Sequence, residues 1–367
     1  MTNTVVQGLP RWSLAVPPLA FVVLLVSWGR DLGTVLLILV CAGLGAAVIA
    51  AVHHAEVVAH RVGEPFGTLI LALAVTVIEV ALIVTLMASG GDKAASLARD
   101  TVFAAVMITC NGILGLSLVV GSVRHHVQEF RVHASSSALA VMTALVTLSL
   151  VLPTFTTSAP GPQFSPPQLA FAGVTSLIMY GVFVFVQTIR HRDYFLPVQS
   201  DTDAAEDEEV HAHAPSAKVA LASLGLLFVC LISVVGLAKT VSPRLESAVE
   251  SAGAPLAVVG VVIALLVLLP ETVAAVRAAL RNRLQTSVNL ALGSALASIG
   301  LTIPAIAVAS IWLSGPLVLG LDGKELVLFA LTVVTSTLTL ATGRATLLQG
   351  AVHLMVFSAF LFLAVSP

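Results

Sequence analysis

The sequence predicts an all-α integral membrane protein of about eleven transmembrane helices: one extra N-terminal helix, then two five-helix repeats of inverted topology. Three observations carry that expectation. Hydrophobic residues make up 58% of the 367 and charged residues only 10%, with a mean hydropathy of +1.04. A soluble domain of this size keeps far more of its surface polar. The apolar residues come in runs long enough to cross a bilayer, which takes about 20 residues as helix. Finally, one strongly acidic stretch divides these runs five and five once the first is set aside. The net charge of −2 leaves no basic footprint for nucleic acid. The lipid bilayer is the expected partner.

The first run, about 12–28, follows a short head whose one cation is Arg11. It lacks the small-x-small cleavage site of a secretory signal, and another apolar run follows at once, so it reads as a retained helix. Residues 1–32 form this extra segment. The first repeat, 33–190, holds runs at about 33–52, 65–89, 101–121, 134–152 and 168–189. The second, 217–367, holds runs at about 217–238, 255–279, 286–313, 325–342 and 344–366. Pro304 predicts a tilt or kink in its helix, and Thr342-Gly343-Arg344 reads as a tight turn. Between the repeats, 191–216 carries Asp201, Asp203, Glu206, Asp207, Glu208 and Glu209, followed by His211 and His213. This is a solvated linker; a cation or pH sensor is the alternative. Because five is odd, the second repeat enters the membrane in the opposite sense, as in many secondary transporters. With the N-terminus cytoplasmic, eleven of the 17 Lys and Arg face the cytoplasm and six face outside. That bias favours this orientation and makes the linker cytoplasmic.

Two runs each hold a single acid. GEPFGTLILALAVTVIEVALIVTLMASG, from Gly63, contains Glu79 in its membrane-length part; PLAVVGVVIALLVLLPETVAAVRAA, from Pro255, contains Glu271. A carboxylate at such depth costs at least about 2.5 kcal/mol, faces a bundle interior or a water-filled cavity, and marks an ion or proton path. Each acid lies in the second helix of its repeat. The third helices match as well: Asn111 sits in VMITCNGILGLSLVVG, opposite VNLALGSALASIGLTIP in the second repeat. On that second helix Ser287, Ser294, Ser298 and Thr302 share a face, and Gly293 and Ala297 predict close helix contact on nearly the same side. Thr76 lies one turn before Glu79. Pro270 lacks an N–H and frees the carbonyl of Leu266, which predicts a broken helix with open carbonyls near the midplane. The plainer alternative is that the small residues only pack helices and that Asn111 only clamps them.

Carboxylates, hydroxyls, an amide oxygen and carbonyls suit a hard cation such as Ca²⁺ or Na⁺, not zinc or copper. Two carboxylates balance one divalent ion, and protons take its place when it leaves. That is an ion-for-proton exchange. Cys41, Cys110 and Cys230 lie in apolar runs and read as small buried residues. The cluster HHAEVVAH, with His53, Glu56 and His60 on one face, offers a metal site and hence a membrane-embedded metalloenzyme as an alternative to transport. It is not HExxH, and it also fits an interfacial, pH-sensitive polar cap. A channel is a third reading.

The stretches GEPFGTLILALAVTVIEVALIV and LLPETVAAVRAALRNRLQTSVNLALGSALASIGLTIP, with the acidic linker between them, resemble the bacterial calcium/proton antiporters of the cation/calcium exchanger superfamily. The resemblance covers essentially the whole chain. It implies an eleven-span fold of two inverted repeats in the bacterial inner membrane, alternating access, and proton-driven export of Ca²⁺. Some relatives also move Na⁺ or K⁺. It implies a transporter rather than an enzyme, with Ca²⁺ and H⁺ as cargo and no cofactor. The acids that would bind Ca²⁺ and protons match Glu79 and Glu271; the polar positions of the following helices match Asn111 and the Ser294–Ser298 stretch. With Thr76, these are the candidate ligands. The chain also departs from the pattern. Many relatives carry Gly-Asn before the acid, where this chain has Val75-Thr76 and Val267-Leu268, and Ala297 stands where plant and yeast relatives have glutamine. The site is poorer in amide oxygens, which leaves the choice among Ca²⁺, Na⁺ and K⁺ open.

Overall fold

A computed structural model describes residues 9–63, 66–90, 94–195, 215–251, 253–312 and 315–366. Within them the chain is helical almost throughout. In order come α1 (Arg11–Ser27), α2 (Thr34–Val62), α3 (Phe66–Gly90), α4 (Leu97–His125), α5 (Val132–Thr154) and α6 (Pro166–Arg190). Then follow α7 (Ala217–Ser251), α8 (Ala257–Val267), α9 (Leu269–Leu280), α10 (Leu284–Ala309), α11 (Gly323–Leu340) and α12 (Leu347–Val365). Every predicted run falls on a helix, the eighth on the pair α8–α9. Among the described residues, 8 helices are long and apolar enough to cross a membrane, or 9 if the bent pair is one span. The expected count of about eleven is not reached by that measure, because α1 and the Ala72–Ala88 part of α3 are apolar but shorter. The linker's acids and its two histidines lie outside the described residues.

Two helices run well past their predicted ends, α2 to Val62 against about 52 and α7 to Ser251 against about 238. α2 continues through His53–Arg61 until Gly63, at φ +77, turns the chain. α7 runs on to Ser251 with Pro243 inside it. An apolar run marks only the part of a helix that suits lipid; the backbone stays helical until a residue stops it.

The chain forms two compact units, residues 1–78 with 198–242, and 79–197 with 243–367. In the first, α1 packs along α2. His54 is buried, and its Nε2 pairs with the Ser13 carbonyl at 2.9 Å. Trp12 lies against the His53 ring, with centroids 5.0 Å apart. Gly236 brings α7 close to α1: a Cβ there would stand 2.5 Å from Leu24. So HHAEVVAH splits its work, since His54 anchors α1 while Glu56 and His60 stay exposed. Among the described residues no group of three or more His, Cys, Asp or Glu is placed to hold a metal, and the metal-site alternative loses its support.

In the second unit α4 is the core helix. Of its most apolar 18 residues 89% are buried, against 61% for α10, the next highest among the candidate spans. α4 packs on α8, α9, α10 and α12, and α10 packs on α5, α6 and α9. Missing Cβ atoms set these approaches. One on Gly260 of α8 would lie 3.0 Å from the Thr101 nitrogen, and one on Gly300 of α10 would lie 2.7 Å from Tyr180 Cβ of α6. Gly293, expected at a close contact, has nothing within 4 Å of its would-be Cβ. The contact face of α10 is that of Gly300, because helical spacing fixes which side a residue is on but not which neighbour lies there.

Loop contacts sort the helix ends of this unit. At one end β1 (Gln128–Glu129) pairs antiparallel with β2 (Arg344–Ala345). There His125 Nε2 meets the Leu280 carbonyl at 2.9 Å, and Asn289 Nδ2 donates to the Phe195 carbonyl at 2.7 Å. At the other end Val318 N donates to Ala95 O at 3.1 Å and Gly320 N to Pro162 O at 2.9 Å. Loops that span counting puts on one side thus bond to each other.

Candidate cation site

Glu79 is only 3% exposed on α3, and its Oε1 accepts a hydrogen bond from Ser298 Oγ of α10 at 2.7 Å. A serine inside a helix commonly gives its proton to the carbonyl one turn back. Ser298 gives it across the helices instead, to a buried carboxylate that needs donors. Ser294 lies one turn earlier on α10 and is part-exposed. Thr76 is buried one turn before Glu79 on α3.

The second acid stands at a break. α8 and α9 meet at 53°, with Leu268 at φ −87 and ψ 1. The N–H and the hydroxyl of Thr272 both bond to the Leu268 carbonyl, at 2.9 and 2.7 Å. Pro270 has no N–H to offer Leu266, so that carbonyl lacks its helical donor, as the sequence predicts. Glu271 sits in the first turn of α9, part-buried. The break is confined to the second half of the chain: α3 runs as one helix through Glu79.

Asn111 holds a feature that the sequence reading missed. Residues Ile108–Ile113 of α4 form a π turn, the kind of bulge that recurs at functional sites. Asn111 is fully buried there. Its Nδ2 donates to Thr332 Oγ1 of α11 at 2.9 Å, and its Oδ1 lies 3.1 Å from Nδ1 of His353, on α12. The other ring nitrogen of His353 lies 3.1 Å from Thr339 Oγ1. The available signals were a lone histidine in an apolar run and the hydroxyls Thr332, Thr335, Ser336 and Thr339 at helical spacing.

These parts converge. α9 packs on both α10 and α4, and the π turn touches α9, α10, α11 and α12. The helices bearing Glu271, Asn111 and Ser298 are therefore mutual neighbours, and the Ser298 bond ties Glu79 to them. The oxygens on offer are carboxylate, hydroxyl, amide and a carbonyl freed at the break, a hard-cation set. A separate charged cluster lies at one end of α4. Arg99, one of the six cations expected outside, is buried: Nε lies 2.8 Å from Asp100, and Nη1 lies 3.1 Å from the Gly320 carbonyl and 3.3 Å from Asp322.

The chain is similar over most of its length to known ion transporters. A model of the sodium/calcium exchanger protein family matches residues 32–189 and 222–366. The protein y4hA of Sinorhizobium fredii, named as an ionic transporter without a stated ion, is 51% identical over 98% of this chain and 97% of its own. The sodium-potassium/proton antiporter ChaA of Escherichia coli is 36% identical over 95% of this chain and 94% of its own. Among solved structures, that of YfkE, a Ca²⁺/H⁺ antiporter protein, has a TM-score of 0.70 at 19% identity, covering 97% of this chain and 99% of that one; this is a likeness of fold. With most of its length matched on both sides of the acidic stretch, the chain belongs to the sodium/calcium exchanger protein family.

Proposed function

We propose that this protein is an antiporter that exchanges Ca²⁺ for H⁺ across the membrane by alternating access. One observation carries the reading: Glu79, buried in an apolar helix, is held by Ser298 on the helix that packs against those of Glu271 and Asn111. Glu79 and Glu271 bind either the cation or protons, which compete for the same oxygens. Thr76, Asn111, Ser294 and Ser298, with the Leu266 carbonyl, supply neutral ligands. The chain divides as an extra helix (1–32), inverted repeats (33–190 and 217–367) and a cytoplasmic linker (191–216). Arg124, Arg131, Arg277, Arg281, Arg283 and Arg344 gather at the β1–β2 end or in the loops bonded to it. Positive charge marks the cytoplasmic side, and counting back from α4 puts the N-terminus on that side, in a bacterial inner membrane.

Exchange of Na⁺ or K⁺ for protons is the second reading. The 36% identity to a sodium-potassium/proton antiporter favours it, as does the shortage of amide oxygens beside the acids. Everted vesicles with a pH-sensitive dye, given CaCl₂, NaCl and KCl in turn, decide between them. Collapse of the proton gradient by CaCl₂ supports the first reading, and collapse by the monovalent salts alone supports the second. No response to any salt, with the protein inserted, sinks both. Glu79→Gln and Glu271→Gln each keep side-chain shape and remove the charge, and each is expected to abolish the response.

A further inference from the structure

His353 lies outside every motif above, yet it is fully buried and bonded to a candidate ligand. The hydrogen bonds around it take their direction from Thr332, and the Cys110 backbone carbonyl is a further acceptor beside the ring. Thr332 Oγ1 places its proton on the Leu328 carbonyl at 2.8 Å, so toward Asn111 Nδ2 it accepts. The nitrogen end of the amide therefore faces Thr332, and the oxygen end faces His353. His353 Nδ1 must then carry a hydrogen, whichever way the Thr339 hydroxyl turns at Nε2. An amide flipped end over end would set its oxygen against a hydroxyl whose proton is already placed on the Leu328 carbonyl.

The approach that makes this bond possible is built in. A Cβ on Gly115 of α4 would lie 2.9 Å from His353 Cβ, so glycine there lets the short Nδ1 arm reach Asn111. The second amide hydrogen of Asn111 turns to Met107 Sδ at 3.9 Å. The spare bonding capacity is thus a lone pair on Oδ1, the end that a hard cation takes. No carboxylate is needed to hold the imidazole. α8 has no titratable side chain; on α11 Lys324 and Glu325 lie at the end remote from Thr339; on α4 Arg99, Asp100, Arg124 and His125 lie at its two ends, and the Cys110 thiol faces Met142.

We infer that His353 is a positioning residue of the exchange, locking the Asn111 amide so that its oxygen is presented for the cation. This rests on the proposed place of Asn111 among the ligands. The test uses the full-length protein in proteoliposomes, with proton-driven uptake of Ca²⁺, Na⁺ and K⁺ in separate arms, reading apparent KM and maximal rate.

Asparagine carries its amide nitrogen as many bonds from Cα as His Nδ1; glutamine carries its own at the Nε2 distance. His353→Asn is therefore expected to keep KM within about threefold, and His353→Gln to raise it about tenfold with maximal rate within about threefold. A role in filling space alone predicts the reverse order, because glutamine occupies more of the imidazole's volume. Thr332→Val removes the acceptor at the other end of the amide, on another helix, and is expected to raise KM like His353→Gln; it decides the matter if a His353 variant does not fold. Equal KM in His353→Asn and His353→Gln, or an unchanged KM in Thr332→Val, overturns the inference while leaving exchange intact. No exchange by the unmodified protein with any of the three cations overturns both the inference and the function beneath it.

Discussion

Ser298 spans the gap between the two halves of the motif. Its hydroxyl is the donor that lets Glu79 Oε1 stay buried. Ser298→Ala removes that donor from the buried carboxylate, at roughly 1–3 kcal/mol. Apparent affinity for the transported cation should fall about tenfold, while Ser298→Thr, which keeps the hydroxyl, should stay near the unmodified value. Cation-concentration series in proteoliposomes measure both, and an unchanged affinity in Ser298→Ala would remove this serine from the site. The acids and Ser298 were legible in the sequence because a polar group in an apolar run needs a partner. His353 was not. Alone among apolar neighbours it reads like any satisfied core histidine, and the amide that gives it meaning lies 242 positions away.

At the scale of elements, the break between α8 and α9 was legible because its cause is local: a proline without an N–H. The π turn in α4 was not, because an inserted residue is stabilised by what packs around it, here α9 to α12. Pro270→Ala restores a donor for the Leu266 carbonyl and should favour a straight helix. The expected result is normal insertion with exchange slowed at least about tenfold; an unchanged rate would show that the bend has no part in the cycle. Packing makes a second test. Gly300→Ala forces a Cβ to within 2.7 Å of Tyr180 and should cost about 1–3 kcal/mol. Gly293→Ala meets nothing within 4 Å and should leave thermal stability unchanged. Melting of the purified protein in detergent compares them, and equal midpoints would mean that α6 and α10 are not so closely packed.

At the scale of the molecule, hydropathy and the parity of spans were enough to order the helices and, within the second unit, to pair the loops that meet at each end. Neither could find the second ordering principle, the set of bonds that run across the bundle. The linker offers a test at this scale. Deleting about Gln199 to His213 should leave exchange in place, because a solvated tether lies off the ion path. Loss of transport in a normally inserted deletion would reverse that view, and a cysteine replacing Asp203 that reacts with an impermeant reagent in intact cells would reverse the orientation. The cross-bundle bonds have a mechanical consequence. α4 is fastened at one end by Arg99 to the segment before α11, at mid-height by Asn111 to α11 and α12, and at the other end by His125 and by the strand that follows it. A rod bolted at three heights does not rock against its bolts. α4, α11 and α12 are therefore expected to keep their mutual arrangement in any change of conformation.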